Sequence, residues 1–185
     1  MGDVTLRKIL TAYDNHPQTA WEAGALPDEL RLGPRMQNTF ADRHTLFPNP
    51  AALYTSLAEQ DIQLLTEDES SYPKLLLEIP DHPLILYVRG DYDFNSVVPC
   101  IAVVGSRKFT GYGKQACESL VRGLSQAGVT IVSGLAFGID KVAHQTAIAC
   151  GGTTLGVLGS GVDNAGITPT THQRLGLEVT QHGAL

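Results

Sequence analysis

The chain has 185 residues, of which 43% are hydrophobic, 17% charged and 6% aromatic. That is enough for one ordinary domain and a smaller one, and it excludes a chain that is disordered throughout. No run approaches the roughly 18 apolar residues of a membrane span, and the start carries Asp3, Arg7 and Lys8 where a signal peptide is apolar. We therefore expect a soluble, cytoplasmic protein with no membrane partner.

The net charge of -6 is divided unevenly along the chain. Residues 1–96 hold 7 basic and 15 acidic residues, a balance of -8, whereas residues 97–185 hold 6 basic and 4 acidic residues, a balance of +2. An evenly acidic chain would disfavour a nucleic-acid partner, because phosphate binding needs clustered Lys and Arg. Because residues 97–185 carry a net positive charge, the charge balance does not exclude a nucleic-acid partner for this half of the chain.

Residues 1–66 are predicted to form a small helical domain of four short helices. Pro17 suits the first position of a helix, Gly33-Pro34 restarts a helix, and Asn49-Pro50 forms a cap and first turn. Residues 67–96 are predicted to be a connector that ends in a strand at Leu84–Val88.

Residues 97–185 repeat a pattern of strand, glycine loop and helix three times. The strand runs are uninterrupted apolar segments, which indicates a parallel sheet covered on both faces. The predicted class is α/β, a Rossmann-like parallel sheet flanked by helices. The strands are expected at Ile101–Val104, Val129–Val132 and Thr154–Leu158, and the helices at Gly113–Gln126, Asp140–Cys150 and Thr170–Gln181.

The three glycine loops follow the carboxyl ends of the strands, so they should meet at one edge of the sheet. The first loop is Gly105–Gly113, the second is Ser133–Asp140 and the third is Gly159–Asp163. Glycines allow close approach to backbone N–H groups, and each following helix points its positive dipole end to the same place. The first loop adds Arg107 and Lys108 beside these donors. An anion such as a phosphate is the expected ligand.

The loops match no nucleotide motif. After Gly105 the next glycines are Gly111 and Gly113, which is not G-x-G-x-x-G, and Lys114 is followed by Gln115 instead of the Ser or Thr of a Walker A loop. We therefore expect no dinucleotide or other cofactor.

Catalytic and metal sites are weakly indicated. Asp140 and His144 are four residues apart on one helix and form a candidate acid/base pair, but we favour Asp140 as a helix N-cap to which His144 bonds back. The cysteines Cys100, Cys117 and Cys150 are far apart without a CxxC pair, so we expect buried free thiols and no metal.

Seven segments together resemble the DNA-processing protein A family, also called DprA or Smf. They keep the family's order over roughly residues 62–185, which makes the resemblance highly specific. In chain order the segments are Tyr72–Leu76, Pro83–Gly90, Ile101–Lys108 with Gly113, Ile131–Asp140, Ala143–His144, Gly151–Thr153 and Val157–Asp163.

The resemblance implies an extended Rossmann domain whose basic pocket holds the backbone of single-stranded DNA. It also implies a non-enzymatic role in natural transformation, in which the strand is handed to a RecA-type recombinase, and a homodimer in the full-length protein. The implied site comprises Gly105, Ser106, Arg107, Lys108, Ser133, Gly134, Phe137, Gly138, Lys141, Gly159, Ser160, Gly161 and Arg174.

Three departures from the family pattern are present. Phe137 stands where a basic residue is common, and its ring offers a base a stacking face. The loop between Asp163 and Pro169 is about two residues longer, with Thr168 in place of a Tyr. The chain stops where the family continues, so we expect a fragment or a shortened relative.

The sequence leaves two other functions open. One is a nucleotide-processing enzyme of the lysine-decarboxylase-like phosphoribohydrolase group using Asp140 and His144, although Gly151–Thr154 lacks the Pro, the later Gly and the Glu of its P-G-G-x-G-T-x-x-E loop. The other is an interaction module in which the acidic helical half does the binding.

Overall fold

The computed structural model describes residues 3–185. Their contacts divide into two compact units. One unit runs up to residue 56 and includes residues 75–84, and the other comprises residues 57–74 and 85–185. No helix in the described part of the chain is long and apolar enough to cross a membrane.

The first unit is helical. The proline and cap signals are confirmed, because Pro17 and Pro34 each begin a helix and the Asn49 side chain accepts a hydrogen bond from the Ala52 amide at 3.0 Å. Its helices are α1 (Asp3–Ala12), α2 (Pro17–Glu22), α3 (Pro34–Ala41), α4 (Arg43–Leu46) and most of α5 (Pro50–Ala58), with 3₁₀ turns at Asp28–Leu30 and Lys74–Glu78.

A buried arginine connects separate segments of this unit through hydrogen bonds to their backbone. Its apolar core is small, consisting of Ile9, Ala20, Leu26 and Phe40. Arg43 is buried beside it, with its guanidinium 4.4 Å from the centre of the Phe40 ring, and it donates to the backbone carbonyls of the residues Trp21, Ala23 and Phe40.

The second unit is built on a sheet. Strands β1 (Ile62–Thr66) and β2 (Ile85–Arg89) pair antiparallel. Strands β3 (Cys100–Ala102), β4 (Thr130–Ser133), β5 (Thr154–Gly156) and β6 (Gly183–Ala184) are parallel and lie in chain order. Arg89 and Leu185 exchange two backbone hydrogen bonds of 3.0 and 2.8 Å, which joins β2 to the β6 side of the parallel sheet.

Helices α6 (Gly111–Gln126), α7 (Ile139–Ala149) and α8 (Gln173–Gln181) connect the parallel strands, and a 3₁₀ turn at Thr170–His172 leads into α8. Parallel strands that advance in one direction through right-handed connections place all their helices on the same face. Consistently, α6 packs on α7 and α7 on α8. The α/β class with a parallel sheet flanked by helices is confirmed.

Three expectations need correction. Ile62–Thr66, placed in the helical domain by the sequence, is a strand of the second unit, because its partner β2 lies some 20 residues further on and leaves no local pattern. The expected cover on both faces fails at β3, whose three residues are exposed, as is Val104. The cysteines are free, but only Cys117 is buried.

Candidate nucleic-acid interface

The first two glycine loops touch through their backbones. The Ile139 amide donates to the Ser106 carbonyl at 3.2 Å. Gly138 has a φ of +88°, and a Cβ atom there would overlap the Ser106 carbonyl oxygen and lie 2.6 Å from the Arg107 Cα. Only glycine permits this backbone conformation and approach together. Phe137 immediately precedes the residue that contacts the Arg107 backbone.

The third loop joins the second one less directly. The Val157 amide donates to the Ser133 carbonyl at 2.8 Å, and the His172 Nδ1 atom lies 2.8 Å from the Leu135 carbonyl oxygen. Within the third loop and the residues after it, Gly161 lies against Gly166, and the Ser160 hydroxyl accepts from the Thr168 amide at 3.3 Å. The first two loops therefore meet at one edge, as predicted, and the place of the third loop in the site stays a prediction.

The first loop presents unused hydrogen-bond donors. Its Ser106 hydroxyl is engaged locally, accepting from the Lys108 amide at 3.1 Å and donating to the Lys108 carbonyl at 2.8 Å. Within residues 3–185, neither the amides of Gly105, Ser106 and Arg107 nor the Arg107 guanidinium has a hydrogen-bond partner, and all three residues are exposed. This arrangement is suited to binding an anion.

The second loop is different, because the chain supplies its own anion there. The Asp140 carboxylate accepts from the Gly134 amide at 3.2 Å and from the Ala136 amide at 3.4 Å. Asp140 is therefore not the N-cap that the sequence indicated; Gly138 occupies that position. In this geometry the Gly134 amide is not available to a phosphate. Ser133 is also engaged, since its buried hydroxyl donates to the Val103 carbonyl at 2.7 Å.

His144 is buried, and it does not form the hydrogen bond to Asp140 that the sequence indicated. Its Nδ1 lies 2.8 Å from the Thr154 hydroxyl, which donates to the Ile131 carbonyl at 2.9 Å. The hydroxyl proton is thus committed, so Nδ1 carries the imidazole proton. Burial lowers the pKa of His144 to about 4. A neutral, inaccessible imidazole does not support the phosphoribohydrolase alternative.

The positive field comes from a few exposed side chains. Arg107 and Lys108 lie on the first loop, and Lys141 is exposed in the first turn of α7. Arg174 is also exposed, but its Nε lies 3.0 Å from the Glu178 carboxylate one turn on, which offsets part of its charge. Within the described residues Arg107, Lys108 and Lys141 form no ion pair, and two of these three cations lie on the first loop.

Two positions that sequence reasoning missed also shape this edge. His172 is buried, and its ring lies edge-on to Phe137 with centroids 4.9 Å apart. Arg89, at the end of β2, donates to the Asn164 side chain at 2.7 Å and so ties β2 to the third loop. No local motif marks either contact, because the partners lie 35 and 75 residues apart in the chain.

These features define a parallel α/β fold with a basic, glycine-rich rim at the carboxyl ends of its strands. A family model described as DNA recombination-mediator protein A matches residues 63–185. The chain belongs to this family, which confirms the resemblance found in the sequence.

Individual relatives agree with this membership. Protein Smf of Synechocystis sp. is 32% identical over 191 residues, a match that covers 100% of this chain and 47% of that protein. DNA processing protein DprA of Bacillus subtilis is 33% identical over 139 residues, covering 75% of this chain and 46% of that protein. The chain thus spans about half the length of these curated relatives.

Two solved structures share the fold. The X-ray structure of DprA from Streptococcus pneumoniae superposes with a TM-score of 0.69 and 28% identity, covering 97% of this chain and 60% of that one. The structure of DprA from Helicobacter pylori superposes with a TM-score of 0.57 and 30% identity, covering 66% and 53%. The Helicobacter pylori protein has a unique single-stranded DNA binding mode.

Proposed function

We propose that this chain binds the phosphate backbone of single-stranded DNA along the rim formed by its first two glycine loops, and does so without catalysis. The observation that carries the proposal is the first loop, where three backbone amides and a guanidinium at residues 105–107 are exposed together and have no hydrogen-bond partner among the described residues. The single-stranded DNA binding of the Helicobacter pylori relative supports it.

Within this proposal the candidate residues have distinct roles. Gly105, Ser106 and Arg107 contact phosphates, and Lys108 and Lys141 extend the positive field. Gly138 holds the two loops together through its contact with Ser106, so it acts without touching the strand itself. The contributions of Ser160 and Arg174 are secondary, because the first is used within its loop and the second is paired with Glu178.

The cellular role is a further part of the proposal. As a member of the recombination-mediator family, the protein would work in the cytoplasm during natural transformation, pass the bound strand to a RecA-type recombinase and form a homodimer at full length. A recombinase-filament assay on single-stranded DNA, with and without this chain, tests the handover. An unchanged rate of filament growth would contradict it.

The test of binding is Arg107→Ala with Arg122→Ala as the matched control. Both arginines are exposed, but Arg122 lies on the outer part of α6, where its guanidinium is near the Cys150 sulfur. Removing a charged hydrogen bond to phosphate should weaken binding of an oligothymidine by about tenfold or more. The slope of log affinity against log salt should fall by roughly 0.7 per lost phosphate contact.

The Arg122→Ala control shows whether a loss of affinity is specific to the position of Arg107. Arg122→Ala should change the affinity less than about twofold, because screening at physiological salt removes most of the effect of a distant charge. Equal losses in the two variants, or no loss with Arg107→Ala, would contradict the proposed site.

A further inference from the structure

His172 is in hydrogen-bond contact with the second loop. It sits in the 3₁₀ turn before α8, is 2% exposed, and places Nδ1 at 2.8 Å from the Leu135 carbonyl oxygen. A carbonyl oxygen can only accept, so Nδ1 carries the proton and donates it. Leu135 itself is fully buried with a φ of +57°, so this hydrogen bond fixes the loop at an unusual backbone conformation.

The same imidazole ring also packs against Phe137. The two rings meet at an angle of 67° with centroids 4.9 Å apart, which is the favourable edge-to-face arrangement of aromatic pairs. Phe137 is nevertheless 49% exposed. Phe137 therefore combines contact with a buried aromatic partner and substantial exposure to solvent.

The backbone around Phe137 is held from both directions. The Ala136 amide is bound by the Asp140 carboxylate, and Gly138 lies against Ser106 and Arg107 of the first loop. With the backbone fixed, the remaining freedom of Phe137 is the rotation of its side chain. The contact with His172 is the described feature that restricts it.

We infer that His172 is a positioning residue, which orients the Phe137 ring as a stacking surface for an unpaired base of the strand whose phosphate lies at Arg107. This rests on the proposed function. The two surfaces adjoin, because the residue that follows Phe137 is in backbone contact with Arg107. A base in a duplex has both faces covered by its neighbours, so this surface favours single strands.

The experiment compares four forms of the full chain: wild type, Phe137→Ala, His172→Asn and the double variant. Asn retains an amide donor for the Leu135 carbonyl but removes the ring. Fluorescence anisotropy measures the affinity for a labelled oligothymidine and for an abasic oligonucleotide of equal length. The abasic strand has the same phosphates but nothing to stack.

The inference predicts a specific pattern. Phe137→Ala weakens oligothymidine binding by about fivefold or more, since a stacked base contributes about 1–3 kcal/mol. His172→Asn weakens it by roughly threefold to tenfold, but causes no further loss when Phe137 is already Ala, because residues that act through one another are non-additive. On the abasic strand neither variant differs from wild type.

Other outcomes would overturn it. A loss from His172→Asn that persists in the Phe137→Ala background, or on the abasic strand, would show a general structural role. If wild type binds both strands and Phe137→Ala binds each of them as tightly as wild type does, the stacking surface is wrong while the phosphate site stands. If wild type binds neither strand, the proposed function fails and the inference fails with it.

A second pair of variants covers the case in which His172→Asn does not fold. His172→Phe and His172→Leu both lack the donor, and only the first keeps an aromatic ring. After thermal melting has established the folded fraction, a weaker oligothymidine affinity for the Leu variant alone supports the inference. Equal affinities would overturn it.

Discussion

The backbone of Gly138 lies against the carbonyl oxygen of Ser106, so two loops that belong to different strands share one continuous surface. The contact needs both a positive φ and the absence of a side chain. It brings the first loop against Gly138, the residue that follows Phe137 in the second loop. The strand order β3-β4 makes the contact possible, since the carboxyl ends of adjacent parallel strands are neighbours.

Gly138→Ala should separate these two loops. A Cβ atom would overlap the Ser106 carbonyl, and alanine is strained at a φ of +88°. We expect a loss of about 2–4 kcal/mol in the free energy of unfolding together with weaker binding of single-stranded DNA. Urea unfolding and anisotropy measure the two effects.

Gly123→Ala is the matched control for that prediction. Gly123 lies within α6, and outside its own helix no atom of the described residues is within 4 Å of the position of an added Cβ, so alanine should leave stability unchanged or raise it by up to about 1 kcal/mol. Similar behaviour of the two alanine variants would contradict the role given to Gly138.

Asp140 should stabilise the second loop through its acceptor oxygen. Asp140→Ala leaves the amides of Gly134 and Ala136 without a partner and is expected to cost about 2–3 kcal/mol, whereas Asp140→Asn keeps an acceptor and should cost roughly 1 kcal/mol. Hydrogen exchange at these two amides should accelerate most in the alanine variant. Unchanged exchange there would mean that the carboxylate does not hold the loop.

His144 should make stability depend on pH. Burial lowers the pKa of its imidazole from 6.5 to about 4. Between these two pH values the imidazole is protonated in the unfolded chain but stays neutral in the folded chain. The contribution of the neutral His144 imidazole to the free energy of unfolding is fully present above about pH 6.5 and is lost progressively as the pH falls toward 4. Over that window it amounts to about 2–4 kcal/mol.

Urea unfolding at pH 7.5, 6.0 and 5.0 tests this linkage with His144→Asn as the comparison. Asn keeps a donor for the Thr154 hydroxyl but does not titrate. The variant is expected to be less stable at pH 7.5, and its deficit should shrink as the pH falls. A deficit that stays constant across the three pH values would contradict the linkage.

Arg43 should stabilise the helical unit. Arg43→Ala removes donors from three backbone carbonyls and the cation above the Phe40 ring, with an expected cost of roughly 2–4 kcal/mol. Arg43→Lys keeps the charge but cannot serve all three carbonyls, so it should lie between the alanine variant and wild type. Fluorescence of Trp21, the single tryptophan, follows the transition. Wild-type stability in the alanine variant would contradict this role.

The sequence predicted most of the secondary structure because its signals are local. The strand, glycine loop and helix pattern placed α6 and α7 within two residues of their observed starts, and Asn49-Pro50 correctly began α5. Apolar runs, prolines and cap residues act on their immediate neighbours, so they can be recognised in one chain. The meeting of the first two glycine loops at one edge followed from the parallel topology.

The tertiary structure decided which donors are free at that edge. Asp140 occupies amides of the second loop, His144 bonds to Thr154 instead of Asp140, and His172 reaches Leu135 from 37 residues away. Such pairings depend on where separate segments of backbone come to lie, and the residue types alone are compatible with several partners. The pattern of the chain therefore located the rim, and long-range packing selected the first loop as its open part.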